Sequence, residues 1–196
     1  MVMSARLVQA FNGETHKAMN IAATSPGACN ADFCFDDFLR NDLALATGIE
    51  ERFSGETVWQ WIRDGGEQED VPNSRSFHHF HDPLRPWDDA GLQIPQLPLV
   101  PRFESSIVWM QDDDGTDAGA DGAAQGWSWP DARRSYYHAL TLTTKQDREQ
   151  KWADTFRAVG QVMHLIVVHH LVEDAFGNQR IDHVSVPGFL RVVLTR

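Results

Sequence analysis

Apolar positions recur at helical spacing through most of the chain, and the breaks between them are marked by Gly, Pro and acidic runs. Thr15 to Thr24 reads as a short helix carrying His16. From Asp36 to Thr47, Phe38, Leu39, Leu43 and Ala46 fall at helical intervals, and Gly48 follows as a stop signal. Glu56 to Asp64 places Val58, Trp59, Trp61 and Ile62 on a broad apolar face, which Gly65-Gly66 is expected to end. Ser128-Trp129-Pro130-Asp131 has the marks of a helix start: a hydroxyl cap, an early proline and an acid at the third position. Ala132, Tyr136 and Leu140 continue one face of that helix. Thr144-Lys145-Gln146-Asp147 repeats the capping logic and opens the longest helix, expected to reach Phe176 with Trp152, Phe156, Val159, Met163 and Ile166 on one stripe. At a rise of 1.5 Å per residue it runs about 45 Å, long enough to be the central member of a bundle.

The intervening segments lack this periodicity. Glu67 to Arg102 contains Pro72, Pro83, Pro86, Pro95, Pro98 and Pro101, which forbid long helices and central strands. Residues 112–126 are acidic and rich in Gly and Ala, the pattern of a solvated flexible loop. Beyond Gly177 the helical pattern fades, and Val184 to Thr195 is short, apolar and β-branched. The expected fold class is all-α, a multi-helix bundle with long irregular loops. Residues 1–196 are expected to form one helical domain, with 112–126 as its acidic loop and 177–196 as a divergent or truncated tail.

Composition narrows the function classes. Hydrophobic residues make up 42% of the 196, enough to fill a core and to exclude wholesale disorder. With 17 basic and 28 acidic residues the net charge is -11, which repels a phosphate backbone at long range and argues against a stable nucleic-acid complex. A metal site that handles phosphates is compatible with that charge, because bound cations reverse the local sign. No apolar run approaches the roughly 18–20 residues needed to cross a bilayer, so no transmembrane segment is expected. The first residues, MVMSARLVQAF, show no apolar core of an export signal. Cys29 and Cys34, five apart, are suited either to a small loop disulfide or to free thiols. The apolar C-terminal end hints at self-association.

The candidate chemistry lies in the histidines. Three of the 9 fall in Phe77-His78-His79-Phe80-His81-Asp82-Pro83, and His164, His169 and His170 crowd the long helix. Acids and imidazoles serve poorly as core residues in a Pro-rich loop, so a metal role is expected for at least one of His78, His79 and His81; the alternative is that they lie on the surface. His170 and Asp174, four apart, share a helix face and have the spacing of two metal ligands. His164 stands about 240° around the helix from His170, so the two do not face one site on a regular helix. The alternative there is a histidine-rich helix whose imidazoles are exposed or satisfied in the core. Imidazole with carboxylate, and no thiolate cluster, suits zinc, iron or manganese better than calcium. Asp112-Asp113-Asp114-Gly115 fails the calcium-loop pattern, and there is no phosphate-binding Gly-rich loop, nucleophile elbow or dinucleotide fingerprint.

Several segments in order resemble the bacterial branch of the zinc-dependent phospholipase C superfamily, which also contains fungal single-strand-specific nucleases. They are Thr15-His16, the run Trp61-Ile62-Arg63-Asp64-Gly65-Gly66-Glu67-Gln68-Glu69-Asp70-Val71-Pro72, Arg75, His79-Phe80-His81-Asp82-Pro83, Trp127 to Arg133, and Phe156 to Leu165. The resemblance implies an all-helical fold around two or three zinc ions. It implies His16, Asp70 and His79 as metal ligands, with a helical His-x-x-x-Asp pair whose aspartate bridges two ions. A metal-bridging hydroxide would then attack the phosphorus of a phospholipid or nucleic-acid phosphodiester, with Asp70 and Asp174 as the catalytic carboxylates. His164 matches the helical ligand by its Gly-Gln-Val-Met-His context, but four residues on stands Val168; His170 and Asp174 have the spacing but lie six residues later. Both remain candidate ligands. Family habit suggests a secreted or periplasmic protein.

Two functions follow: a zinc-dependent phosphodiester hydrolase, or a noncatalytic helical remnant of that family with an incomplete metal site. A third, a phosphohydrolase built on His81-Asp82, is disfavoured because Pro83 removes that doublet from a helix.

Overall fold

The computed structural model describes residues 13–25, 29, 34–82, 84–94, 102–112 and 125–175, excepting the side chains at 13, 73 and 166–175. The architecture is mostly helical, as the periodicity indicates. In chain order it comprises α1 (Gly13–Thr24), α2 (Phe35–Asn41), a hairpin of β1 (Arg52–Phe53) and β2 (Glu56–Thr57), α3 (Val58–Gln68), the short α4 (Ser106–Trp109), α5 (Trp129–Thr141) and the long α6 (Lys145–Ala175). Short 3-10 turns lie at Gly48–Glu50, Asn73–His79 and Trp87–Asp89. No helix among the described residues is long and apolar enough to cross a membrane. Cys29 and Cys34 form a disulfide.

Helix α6 is the axis. It packs against α3 on one side and α5 on another, and α1 lies against α3 and α6. Its expected stripe is buried at Trp152, Phe156, Val159 and Met163, while Ile166 lies outside the described side chains. Phe53 from the hairpin stacks on Trp152 at a ring distance of 5.4 Å, and Tyr136 of α5 meets the same indole edge-on. Two capping boxes fix the helices that flank this core. Thr57 and Gln60 cap α3, and Ser128 and Asp131 cap α5, as the Ser-Trp-Pro-Asp signature indicates.

Several expectations are corrected. The helix from Asp36 stops at Asn41, six residues before Thr47. The Phe38 carbonyl accepts from the amides of both Asp42 and Leu43, and Ala44 takes a left-handed φ of 55°. The turn delivers Leu45 and Ile49 to the core, which a continued helix would not do. Arg40 holds the loop by donating to the carbonyls of Ala46 and Thr47, and the Asp36 carboxylate accepts from the Ile49 amide.

Gly65-Gly66 does not end α3, which runs on to Gln68. These glycines are contact points. A Cβ at Gly65 would run into the Arg157 carbonyl oxygen of α6, one at Gly66 into the Asn20 amide of α1, and one at Gly160 of α6 into the Ile62 carbonyl oxygen. Backbone therefore meets backbone where α3 crosses α6, and a helix interior tolerates the glycines because the close packing offsets their intrinsic cost. On α5 the buried face runs through Ala132 and Ala139, with Tyr136 partly buried, while Leu140 points to solvent at 57% exposure. Most of the acidic loop (residues 113–124) and the tail (residues 177–196) lie outside the described residues.

Candidate metal centre

The buried face of α1 is polar. His16, Asn20 and Thr24, spaced by four, are all at most 1% exposed. The Asn20 amide donates to the carbonyls of Ile62 at 2.8 Å and Gly160 at 3.0 Å, so one side chain ties α1 to both α3 and α6. That tie sets the height of His16, one turn earlier, against α6. Thr24 closes the stripe by donating to the Asn20 carbonyl.

His16 meets His164 of α6 at a ring distance of 3.8 Å. Asp70, just past the end of α3, brings its Oδ2 to 2.7 Å from His16 Nδ1. His79, at the end of the 3-10 turn, lies with Nε2 3.6 Å from Asp70 Oδ1 and Nδ1 3.4 Å from His164 Nε2. Three stretches of the chain, α1, residues 70–79 and α6, thus converge. Donor atoms of His16, Asp70 and His164 all lie within 4.8 Å of one another. The three imidazoles are at most 1% exposed, and Asp70, with 18% of its side chain exposed, is the member that touches solvent.

The hydrogen bonding of this cluster is incomplete. Both ring nitrogens of His16, Asp70 Oδ1, His79 Nε2 and His164 Nδ1 are buried without a hydrogen-bond partner. The close His16–Asp70 approach does not have hydrogen-bond alignment. Buried polar atoms of this kind cost about 1–3 kcal/mol each when unpaired. Burial pushes the His79 imidazole down to about 4, against the pull of the Asp70 carboxylate, and holds His164 well below the ordinary histidine value, reinforced by its imidazole neighbours. Both are therefore neutral at pH 7, the form in which imidazole donates a lone pair to a metal. Imidazole nitrogens and one carboxylate so close together form a group that could hold a metal ion.

Of the sequence-derived candidates, His16, Asp70, His79 and His164 are brought together. His170 and Asp174 lie on the backbone of α6 with their side chains outside the described residues. The helix continues unbroken to Ala175, so position 170 stands about 240° around the axis from position 164, and position 168, a valine, follows His164 one turn on. His78 and His81 are buried, contrary to a surface location. The His78 ring stacks on the Trp109 indole at 3.8 Å, in the neighbouring α4.

Beside Asp70 lies a second polar cluster that residue spacing does not reveal. Glu69, fully buried, pairs with Arg75 at 2.7 Å, and its other oxygen accepts from Trp109 Nε1 at 2.8 Å. Arg75 also reaches the side-chain oxygens of Gln125 at 2.8 Å and Gln161 at 3.2 Å. Burial pushes the Glu69 carboxyl up, and the Arg75 charge opposes that shift. The signal for it in the sequence is an acid next to a candidate ligand, with an arginine six residues on.

Comparison with known proteins finds no matching protein family, no matching curated protein and no matching solved structure.

Proposed function

We propose that this chain is a zinc-dependent phosphodiester hydrolase with a helical fold of the zinc-dependent phospholipase C type. The observation that carries this reading is the convergence of His16, Asp70, His79 and His164 from three stretches of the chain, each with a buried polar atom that has no hydrogen-bond partner. The imidazoles of His16, His79 and His164 supply ring nitrogens, those of His79 and His164 neutral, and the Asp70 side chain supplies the oxygen donor. Asp70 also lies at the solvent-facing side, where a substrate phosphodiester would enter. Zinc held there supplies Lewis acidity towards a phosphoryl oxygen and acidifies a water. The chain's own part is to fix the donors and exclude bulk water from the three imidazoles.

A second reading, a noncatalytic domain holding one ion or none, is favoured by Val168 standing one helical turn beyond His164, where a second carboxylate is needed. Metal content measured by mass spectrometry decides between them, on protein purified without chelator or histidine tag. Two or more zinc ions per chain, with cleavage of an activated diester such as bis(4-nitrophenyl) phosphate, are expected for the hydrolase. One ion without turnover would establish the second reading. His79→Ala should lower zinc content and diester cleavage together; unchanged zinc in that variant removes His79 from the site.

A further inference from the structure

The segment from Glu69 to His79 carries two of the converging donors, Asp70 and His79, and its only regular element is the 3-10 turn Asn73–His79. Something must hold it against α6. Arg75 lies midway between the two donors and is 5% exposed. Its Nε donates to the Glu69 carbonyl at 3.0 Å and its Nη2 to the Glu69 carboxylate at 2.7 Å, so the guanidinium folds the turn back on its own start. The same Nη2 reaches Gln161 Oε1 at 3.2 Å, three residues before His164 on α6. Its plane lies over the Trp109 ring at 5.1 Å, and that indole donates to Glu69. One rigid fork thus joins the segment bearing Asp70 and His79 to the helix bearing His164.

We infer that Arg75, with Glu69, is the positioning residue of the metal centre: it sets Asp70 and His79 in register with His164. This rests on the metal reading above. A lysine would keep the charge but could not hold the backbone carbonyl, the carboxylate and Gln161 in one plane, because an ammonium has no fork. Outer groups that orient metal ligands change affinity by roughly 10- to 100-fold when removed.

The test uses the full chain as wild type, Arg75→Lys, and the double variant Arg75→Met with Glu69→Leu. The double variant replaces the buried pair with apolar groups of similar volume, a change that commonly leaves stability intact. Zinc affinity is measured by competition with a chromogenic chelator, the thermal midpoint of the metal-free protein is followed in parallel, and the histidine ring nitrogens are observed by NMR. Zinc binding should weaken roughly 10- to 100-fold in both variants, with the midpoint of the double variant near that of wild type. The ring signals of His79 and His164 should move while that of His138 on α5 stays. A folded double variant with wild-type zinc affinity and unmoved His79 and His164 signals overturns the proposal. If the wild type binds no zinc, the metal reading fails, and the ring signals still decide whether Arg75 positions these side chains.

Discussion

Two buried polar clusters meet at adjacent residues, Glu69 and Asp70, and they are built on opposite principles. Around Glu69, the carboxylate accepts from a guanidinium and an indole N–H, and that guanidinium also donates to two amide oxygens, so the charges are matched within the protein. Around Asp70, three imidazoles present lone pairs to one another and to a carboxylate, and several of their atoms have no hydrogen-bond partner. A fold that satisfies one buried carboxylate so fully and leaves its neighbour so incompletely paired treats the two differently. The matched cluster is a fastener. The unmatched one could hold a metal ion, and the difference marks it as the candidate site.

The comparison can be broken most forcefully at the fastener. Arg75→Met alone strands the Glu69 carboxylate and should cost about 3–5 kcal/mol, read from urea unfolding of the metal-free protein, with much of that loss recovered when Glu69→Leu is added. An Arg75→Met protein as stable as wild type would mean that the pair is not matched as described.

The next largest effect is on pH dependence. Unfolded His79 takes up a proton near 6.5, whereas folded His79 does so only at about 4. In that window the unfolded chain binds more protons, so stability of the metal-free protein falls as pH drops from 6.5 towards 4, by at most about 3 kcal/mol from this residue. Glu69, whose carboxyl is pushed up by burial, acts in the opposite sense. The difference between wild type and His79→Leu in unfolding midpoints at pH 7, 5.5 and 4.5 isolates the histidine. Parallel profiles for the two proteins would show that His79 is not buried neutral.

A smaller effect of opposite sign is expected at His164. His164→Leu removes a buried, unpaired imidazole nitrogen, so the metal-free variant should be more stable by about 1 kcal/mol while its zinc binding is lost. Lost stability together with retained zinc would reverse the roles assigned to the two clusters. Smallest of all is His170→Ala, for which no change in zinc content is expected, because position 170 stands about 240° around α6 from position 164. Zinc lost in His170→Ala but kept in His164→Ala would shift the helical ligand to the later position.

The helices are largely legible in the chain's own pattern. The capping signatures at Ser128 and Thr144, and the stripe of Trp152, Phe156, Val159 and Met163, are local features, and local features depend on neighbours in sequence. The points where that pattern misleads all depend on something distant. Gly65-Gly66 looks like a stop until Arg157 and Asn20 press against it. The Phe38–Leu43 pattern looks like a longer helix until Leu45 and Ile49 are needed in the core. The polar face of α1 defeats a hydropathy pattern altogether, because His16 and Asn20 are buried by partners on α3 and α6.

By itself, then, the sequence determined the mostly helical character, the central helix and the helix starts, and it offered His16, Asp70, His79, His164, His170 and Asp174 as candidate donors. Each follows from residue type and spacing, or from a resemblance carried by short motifs. Only the tertiary structure decided which of those donors meet, that His164 faces them, and that Glu69 and Arg75 fasten the turn between two of them. Meeting is a property of pairs far apart in the chain, 85 residues in the case of His79 and His164. Such a distance is set by helix crossings and a buried ion pair, and neither leaves a periodic trace along the chain.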